Sequence, residues 1–185
     1  IFLKKNIPIQ KGLGGGSSDA AATLIALNKL WGLNLTKDKL AKIALELGSD
    51  VPFFVYGQSA WVEGKGELIK KIQIDNQWFI LIFPEVNIST REAYNSINLE
   101  SEAVITLENF LAGKSKNSFE SWARTTYADL DILFFKLQSF GVPKLTGTGS
   151  AVYIPYNHKK EAEEKFNLLN DGILVESIDH SPLLP

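Results

Sequence analysis

The sequence predicts an α+β fold in two parts, and three observations carry that prediction. Up to about Asp75 the chain passes from a strand-like segment through a cluster of glycines into two amphipathic helices. From Trp78 onward the order is strand, helices, strand, helix, strand, the pattern of a split βαβ (ferredoxin-like) sheet with helices on one face. No internal repeat or low-complexity linker interrupts either part. Domains are therefore expected at 1–75 and 76–185.

Residues 1–9, "IFLKKNIPI", alternate loosely and carry β-branched residues, so a strand ending at the glycines is expected. A helix begins at Ser17 or Ser18. Leu24, Leu27, Leu30 and Trp31 fall three and four apart, and Gly32 stops it. Thr36 has the character of an N-cap for a second helix, with Leu40, Ile43, Ala44 and Leu47 on one face and Gly48 beyond its end. "SDVPFFVYG" leads into an apolar strand, and "SAWVEGKGELIKKI" is strand-like with a Gly-Lys-Gly turn. "WFILIFP" is a continuous apolar strand, buried on both faces or nearly so. Helices are expected around 105–111 and 119–140, followed by a glycine turn at 145–150, "LTGTGS". "AVYIPY" then reads as a strand, "HKKEAEEKFNLLN" as an amphipathic helix and "GILVESI" as a closing strand.

Composition narrows the function. With 185 residues, 45% of them hydrophobic, the chain has ample material for a core. A formal net charge of −2 lacks the basic excess that phosphate-dominated nucleic-acid binding needs. No apolar run approaches membrane-spanning length, and no membrane or nucleic-acid partner is expected. The chain has no cysteine, which excludes disulfides and thiolate metal sites and fits a reducing cytoplasm. His158 and His180 have no ligand partners at useful spacing, so no metal site is expected from them. The charged residues Lys159, Lys160, Glu161, Glu163 and Glu164 read as the solvated face of a helix.

The cluster "GLGGGSSDAAATL" raises the main question, since glycine costs conformational entropy wherever structure is stable. A flexible loop with a serine N-cap is one reading. The other is an anion site. Unpartnered N–H groups and the positive end of a helix dipole face an incoming phosphate, which glycines let approach closely. No Gly-Lys-Ser/Thr closes a Walker loop, and Ser17 stands where a dinucleotide fingerprint has its third glycine.

At "IPIQKGLGGGSSDAA" the chain resembles the GHMP kinases, whose proline-started, glycine- and serine-rich nucleotide loop replaces a Walker loop. "ALNKLWGLNLT", "LGSDVPFFVYG", "WVEGKGE" and "LTGTGS" also resemble one branch of that family, in the same order. The resemblance spans most of the chain and is weakest at 95–128. It implies the two-domain GHMP kinase architecture, with an ATP-binding domain at 1–75 and the family's C-terminal domain at 76–185. It further implies ATP with Mg²⁺, and phosphoryl transfer to the 2-hydroxyl of a cytidine-diphosphate sugar alcohol in non-mevalonate isoprenoid synthesis. Nucleotide contacts would come from Pro8, Ile9, Gln10, Lys11, Gly12, Leu13, Gly14, Gly15, Gly16, Ser17 and Ser18.

Asp50, in "ELGSDVPFF", is by its context a turn or capping residue, or a carboxylate able to take a proton from a substrate hydroxyl within hydrogen-bond reach. The resemblance makes it the catalytic aspartate. Thr90 and Tyr94 match positions that contact the cytidine, Tyr94 by stacking; the alternative is an N-cap at Ser89 or Thr90 and a buried tyrosine. Arg91 stands where the family carries proline. "LTGTGS" is either a plain hairpin turn or, by resemblance, a second glycine loop facing the active site with Gly147 and Gly149 as close-approach positions. The family's early strand of Ala-Lys-Ile-Asn character, whose lysine cooperates with the aspartate, has no match. Lys4, Lys5 and Lys11 lie too near the loop to replace it. The chain is thus expected to be the carboxy-terminal two-thirds of an enzyme with a truncated ATP-binding domain, inactive by itself. Rival readings are a family kinase acting on homoserine or mevalonate, and a non-catalytic nucleotide-binding module.

Overall fold

The structure, a computed structural model, describes residues 1–97 and 105–182. The chain forms two compact units, one made of Ile1–Leu13 and Gln77–Ser177, the other of Gly14–Asn76 with the described residues after Ser177. The observed division falls at residue 76, beside the expected one at 75, but each unit also takes in a piece from the opposite end. Long-range backbone pairing accounts for this. Ala151 N–H donates to the Lys11 carbonyl, while Ser59 N–H donates to Asp179 O and Ser181 N–H to Gly57 O. No local pattern in sequence announces such pairs.

In the unit built on Gly14–Asn76, helix α1 (Gly15–Leu30) is followed by α2 (Lys37–Leu47), α3 (Val51–Tyr56) and strands β1 (Ala60–Glu63) and β2 (Leu68–Lys71). Helix α1 starts two residues before Ser17, with Gly14, left-handed at φ 67°, at the N-cap position. Thr36 caps α2, its hydroxyl accepting the Lys39 N–H. Leu40 and Ala44 are buried as the periodicity requires, but Ile43 and Leu47 are exposed. Ala21, Leu40, Ala41, Ala44, Val51 and Val55 form the core.

Residues 51–56 are helical, not the expected strand. Pro52 sits in the first turn, where its missing N–H costs nothing, and Val51, Pro52 and Val55 are buried on one helical face. Packing against α1 and α2 outweighs the strand preference of "VPFFVY". Strands β1 and β2 form an antiparallel hairpin, Ala60 opposite Lys71 and Glu63 opposite Leu68, closed by the expected Gly-Lys-Gly turn.

The other unit carries β3 (Trp78–Ile82), α4 (Thr90–Ser96), α5 (Leu107–Leu111), α6 (Ser118–Thr126), α7 (Ala128–Leu137), β4 (Lys144–Leu145), β5 (Val152–Tyr156), α8 (Lys159–Leu169) and β6 (Ile173–Glu176). Its sheet has the order β4-β5-β3-β6, with every neighbouring pair antiparallel. Since β5 lies between β3 and β4 and opposes both, those two run parallel. That is the split βαβ arrangement expected from the element order. Ile80, Ile82, Val152, Ile154 and Tyr156 point from the sheet into a core completed by Ala93, Ala123, Leu130, Phe134, Leu137 and Ala162 from the helices.

Two expectations fail here. Residues 1–9 form no strand and are exposed. A strand needs a hydrogen-bonding neighbour, and among the described residues none pairs with this segment. The single helix expected over 119–140 breaks at Tyr127, which is extended (φ −117°, ψ 96°) and serves as the N-cap of α7.

Candidate functional site

The candidate residues fall on both units. In the unit of α1, the helix opens on Gly15 and Gly16, and no side chain caps its first turn. The leading N–H groups of a helix have no intrahelical acceptor, so this end presents donors and the positive end of a dipole. A Cβ on Gly15 or Gly16 would meet nothing within 4 Å, so packing does not demand glycine at either place. Gly14 differs: it is left-handed, and a Cβ there would stand 2.9 Å from the Phe54 ring of α3. Ser17 and Ser18 are half-buried in the same first turns.

Asp50 is the N-cap residue of α3 but its carboxylate makes no capping hydrogen bond, and it is exposed. Of the local alternatives, the turn placement is observed and the side-chain cap is not. Its neighbour Ser49 is backed by Gly66 of the hairpin turn, where a Cβ would stand 1.9 Å from the Ser49 carbonyl oxygen. The glycine of "WVEGKGE" therefore has a clear structural purpose: it lets the hairpin close against the turn that presents Asp50.

In the other unit Pro8, Ile9 and Gln10 are exposed, while Lys11 turns inward and is 8% exposed. Its ammonium donates to Pro84 O (2.6 Å), Val86 O (2.9 Å), Asn87 Oδ1 (3.0 Å) and Ser150 Oγ (3.2 Å). Burial lowers its pKa below the ordinary lysine value, against the opposing effect of Glu85. Thr146 Oγ1 donates to the Lys11 carbonyl at 2.7 Å. The next residue, Gly12, lies so close to the second glycine loop that a Cβ would stand 2.2 Å from Thr146 O. The "LTGTGS" turn is thus packed against the start of the first glycine segment, and it is no isolated hairpin turn.

Ser89 is the N-cap of α4, accepting the Glu92 N–H, and Thr90 is its first residue. The Thr90 and Thr148 hydroxyls are 3.3 Å apart, joining α4 to the second glycine loop. Tyr94 is not buried: it is 53% exposed, in a T-shaped contact with Phe119 at 5.0 Å between centroids. Gly147 is exposed, whereas Gly149 is buried against Ile88 and Leu145, with a Cβ 2.8 Å from Ile88 Cδ1.

Several supporting residues escaped sequence reasoning. Asn117, the N-cap of α6, accepts the Phe119 N–H and donates through Nδ2 to Leu145 O (3.0 Å) and Gly147 O (2.7 Å), clamping the second loop. Glu120 accepts the Leu145 N–H at 3.1 Å. The Ser150 hydroxyl, fully buried, donates to Val86 O. An Asn before a helical segment was the available signal for the cap, but nothing in sequence reveals which distant carbonyls it reaches.

By fold and by sequence the chain belongs to the GHMP kinase family. The description "GHMP kinases N terminal domain" matches residues 1–58. Among curated relatives, 4-diphosphocytidyl-2-C-methyl-D-erythritol kinase of Buchnera aphidicola subsp. Acyrthosiphon pisum is 41% identical over 99% of this chain, which spans 65% of that protein. The protein of the same name from Nitrosococcus oceani is 37% identical over 100% of this chain, which spans 67% of it. A crystal structure of 4-(cytidine 5'-diphospho)-2C-methyl-D-erythritol kinase superposes with a TM-score of 0.75 at 29% identity, over 94% of this chain and 68% of that one. A homoserine kinase from Cytophaga hutchinsonii, at 18% identity and a TM-score of 0.63, shares the fold.

Proposed function

We propose that the protein transfers the terminal phosphoryl group of ATP to the 2-hydroxyl of 4-diphosphocytidyl-2-C-methyl-D-erythritol, in non-mevalonate isoprenoid synthesis. The observation that carries the reading is the opening of α1: an uncapped helix start with two glycines that packing does not require. The shared name of the relatives supports the choice of substrate.

In this reading Gly14, Gly15, Gly16, Ser17 and Ser18 hold the nucleotide phosphates through backbone N–H groups and hydroxyls. Residues 8–13 lead the chain into that site; Lys11 contributes through position, since its ammonium is engaged within the protein. Mg²⁺ belongs to the nucleotide, neutralising phosphate oxygens. Asp50, exposed and uncapped, accepts the proton of the attacking hydroxyl, while positioning and charge stabilisation supply most of the acceleration. Tyr94 offers an open ring face for the cytosine, with Thr90 beside it, and Gly147 and Gly149 shape the second loop. The domain roles in this reading are nucleotide binding for 1–75 and the family's C-terminal domain for 76–185.

The cysteine-free composition agrees with a cytoplasmic enzyme. Among the described residues, no helix is long and apolar enough to cross a membrane.

A substrate panel tests the proposal directly. Full-length protein is given labelled ATP and, in turn, the cytidine-diphosphate sugar alcohol, homoserine and mevalonate. Transfer to the first alone is expected. Preference for either of the others would replace the substrate, and nucleotide binding without transfer to any would leave only a binding module.

A further inference from the structure

Lys11 solves a problem that its neighbours create. Three segments meet around it: the start of the first glycine segment, the run 84–90 that enters α4, and the second glycine loop at 145–151. Their main-chain and side-chain oxygens converge on one point. Pro84 O, Val86 O, Asn87 Oδ1 and Ser150 Oγ lie 2.6, 2.9, 3.0 and 3.2 Å from the Lys11 ammonium nitrogen. No carboxylate is among them. An inward cluster of oxygen dipoles costs energy unless a cation or donors fill it, and here a buried charge supplies both. Four neutral oxygens at such distances make a partial cage that suits a monovalent cation, and the ammonium is tethered where a free ion would sit.

The tether works at both ends of the residue. While the ammonium holds 84–87 and Ser150, the Lys11 carbonyl accepts from Thr146 Oγ1 and from the Ala151 N–H. Gly12 is then pressed against Thr146 O and the Gly149 N–H. On the far side Ile88, 2% exposed, closes on Gly149, and Thr90 meets Thr148. One side chain therefore sets the spacing of the segment bearing Thr90 and Tyr94, the second glycine loop and the approach to the first.

We propose that Lys11 is a positioning residue, a built-in monovalent cation whose oxygen cage holds the segment bearing Thr90 and Tyr94, the second glycine loop and residues 11–12 at their working separation. This rests on the kinase reading for the identity of the ligands, but the cage itself does not. Burial that disfavours the charged form, against the opposing effect of Glu85, is consistent with a cation held by neutral dipoles.

The test uses three variants of the full-length protein. Lys11→Ala removes the tethered cation and leaves a cavity lined by oxygens; Lys11→Met fills the space without donors; Asn87→Ala removes one exposed cage oxygen and is the variant safest to fold. Each is melted in sodium, potassium, ammonium and tetramethylammonium chloride at constant ionic strength, and its kinetic constants are measured in the same salts. Lys11→Ala is expected to gain melting temperature saturably with ammonium or potassium but not with tetramethylammonium, and wild type and Lys11→Met are expected to show no such gain. Misplacement of binding groups should raise KM for the cytidine substrate about tenfold in both Lys11 variants, with kcat falling less; ammonium should restore the alanine variant alone. A smaller KM increase is expected for Asn87→Ala.

Absence of saturable cation stabilisation in folded Lys11→Ala would overturn the cage. Unchanged KM in Asn87→Ala and in folded Lys11→Met would overturn the positioning role. Should Lys11→Ala not fold in sodium, its refolding in ammonium supports the cage and failure to refold there counts against it. Wild type lacking any phosphoryl transfer would defeat the kinase reading, while the cation-dependent melts would still decide the cage.

Discussion

Gly15→Val separates a structural glycine from a binding one. Gly15 is the first residue of α1 and its φ is not in the left-handed region; a Cβ there meets nothing within 4 Å. The fold therefore loses no contact. In a helix interior valine is a few tenths of a kcal/mol better than glycine by propensity, so the melting temperature should stay level or rise slightly. The nucleotide should behave in the opposite way. If phosphate oxygens approach the Gly15 and Gly16 N–H groups, the valine methyls occupy that approach. One lost hydrogen bond to a charged group is worth about 1.5–3 kcal/mol, a fall of roughly ten- to a hundredfold in affinity. Calorimetric titration with ATP, beside a thermal melt of the same preparation, measures both. Gly14→Ala supplies the contrast: at φ 67° and 2.9 Å from Phe54, it should lose about 1–2 kcal/mol of stability. Folded Gly15→Val with wild-type ATP affinity would refute the phosphate site.

Three further outcomes follow from the same geometry. Tyr94→Phe should be nearly neutral, whereas Tyr94→Ala should weaken the cytidine substrate about tenfold or more, since stacking on a base is worth roughly 1–3 kcal/mol; equal affinity by direct binding would move the base elsewhere. Asn117→Ala removes a cap and two bonds to the second glycine loop, so stability should fall by about 1–2 kcal/mol and substrate KM should rise; Asn117→Asp keeps the cap but sets a carboxylate oxygen against the Leu145 and Gly147 carbonyls, so it should not restore KM. Asp50→Asn should leave the melt unchanged, because the carboxylate caps nothing, while turnover drops at least about a hundredfold; near-normal turnover would remove Asp50 from the chemistry.

What could be read in advance depended on the range of the interaction. The α1 end at Gly32, the Thr36 cap and strands β3, β5 and β6 were legible because caps, stop residues and periodicity are written within a few residues, whereas the short β4 was not. The errors arose where distant packing decided. "VPFFVY" has strand-forming residues, yet burial of Val51, Pro52 and Val55 makes it a helix. Residues 1–9 have a strand pattern, but a strand exists only with a neighbour, and none among the described residues supplies one. The helix over 119–140 breaks at Tyr127, which no glycine or proline marks. Likewise the loop motifs stood out in sequence, whereas the clamps on them (Asn117, Ser150 and the inward Lys11) became visible only once residues 30, 64 and 139 positions apart were neighbours.

The glycines sharpen that distinction. In sequence, "GLGGGSS" presents four equivalent glycines, with nothing to divide those that serve a ligand from those that serve the fold. The structure divides them. Gly12 must be glycine because Thr146 O occupies the place of its Cβ, and Gly14 because its backbone is left-handed under Phe54. Their presence is explained without any ligand. Gly15 and Gly16 sit in open space at a helix start, where alanine would be the better helix former by up to about 1 kcal/mol each. Among the described residues nothing within 4 Å of a Cβ requires them, which is why we propose that their reason lies in what comes to the chain. A ligand that needs bare backbone N–H groups is such a reason, and phosphate at the positive end of a helix fits it. It is therefore the two glycines with no structural explanation that carry the functional argument, and Gly15→Val is aimed at one of them.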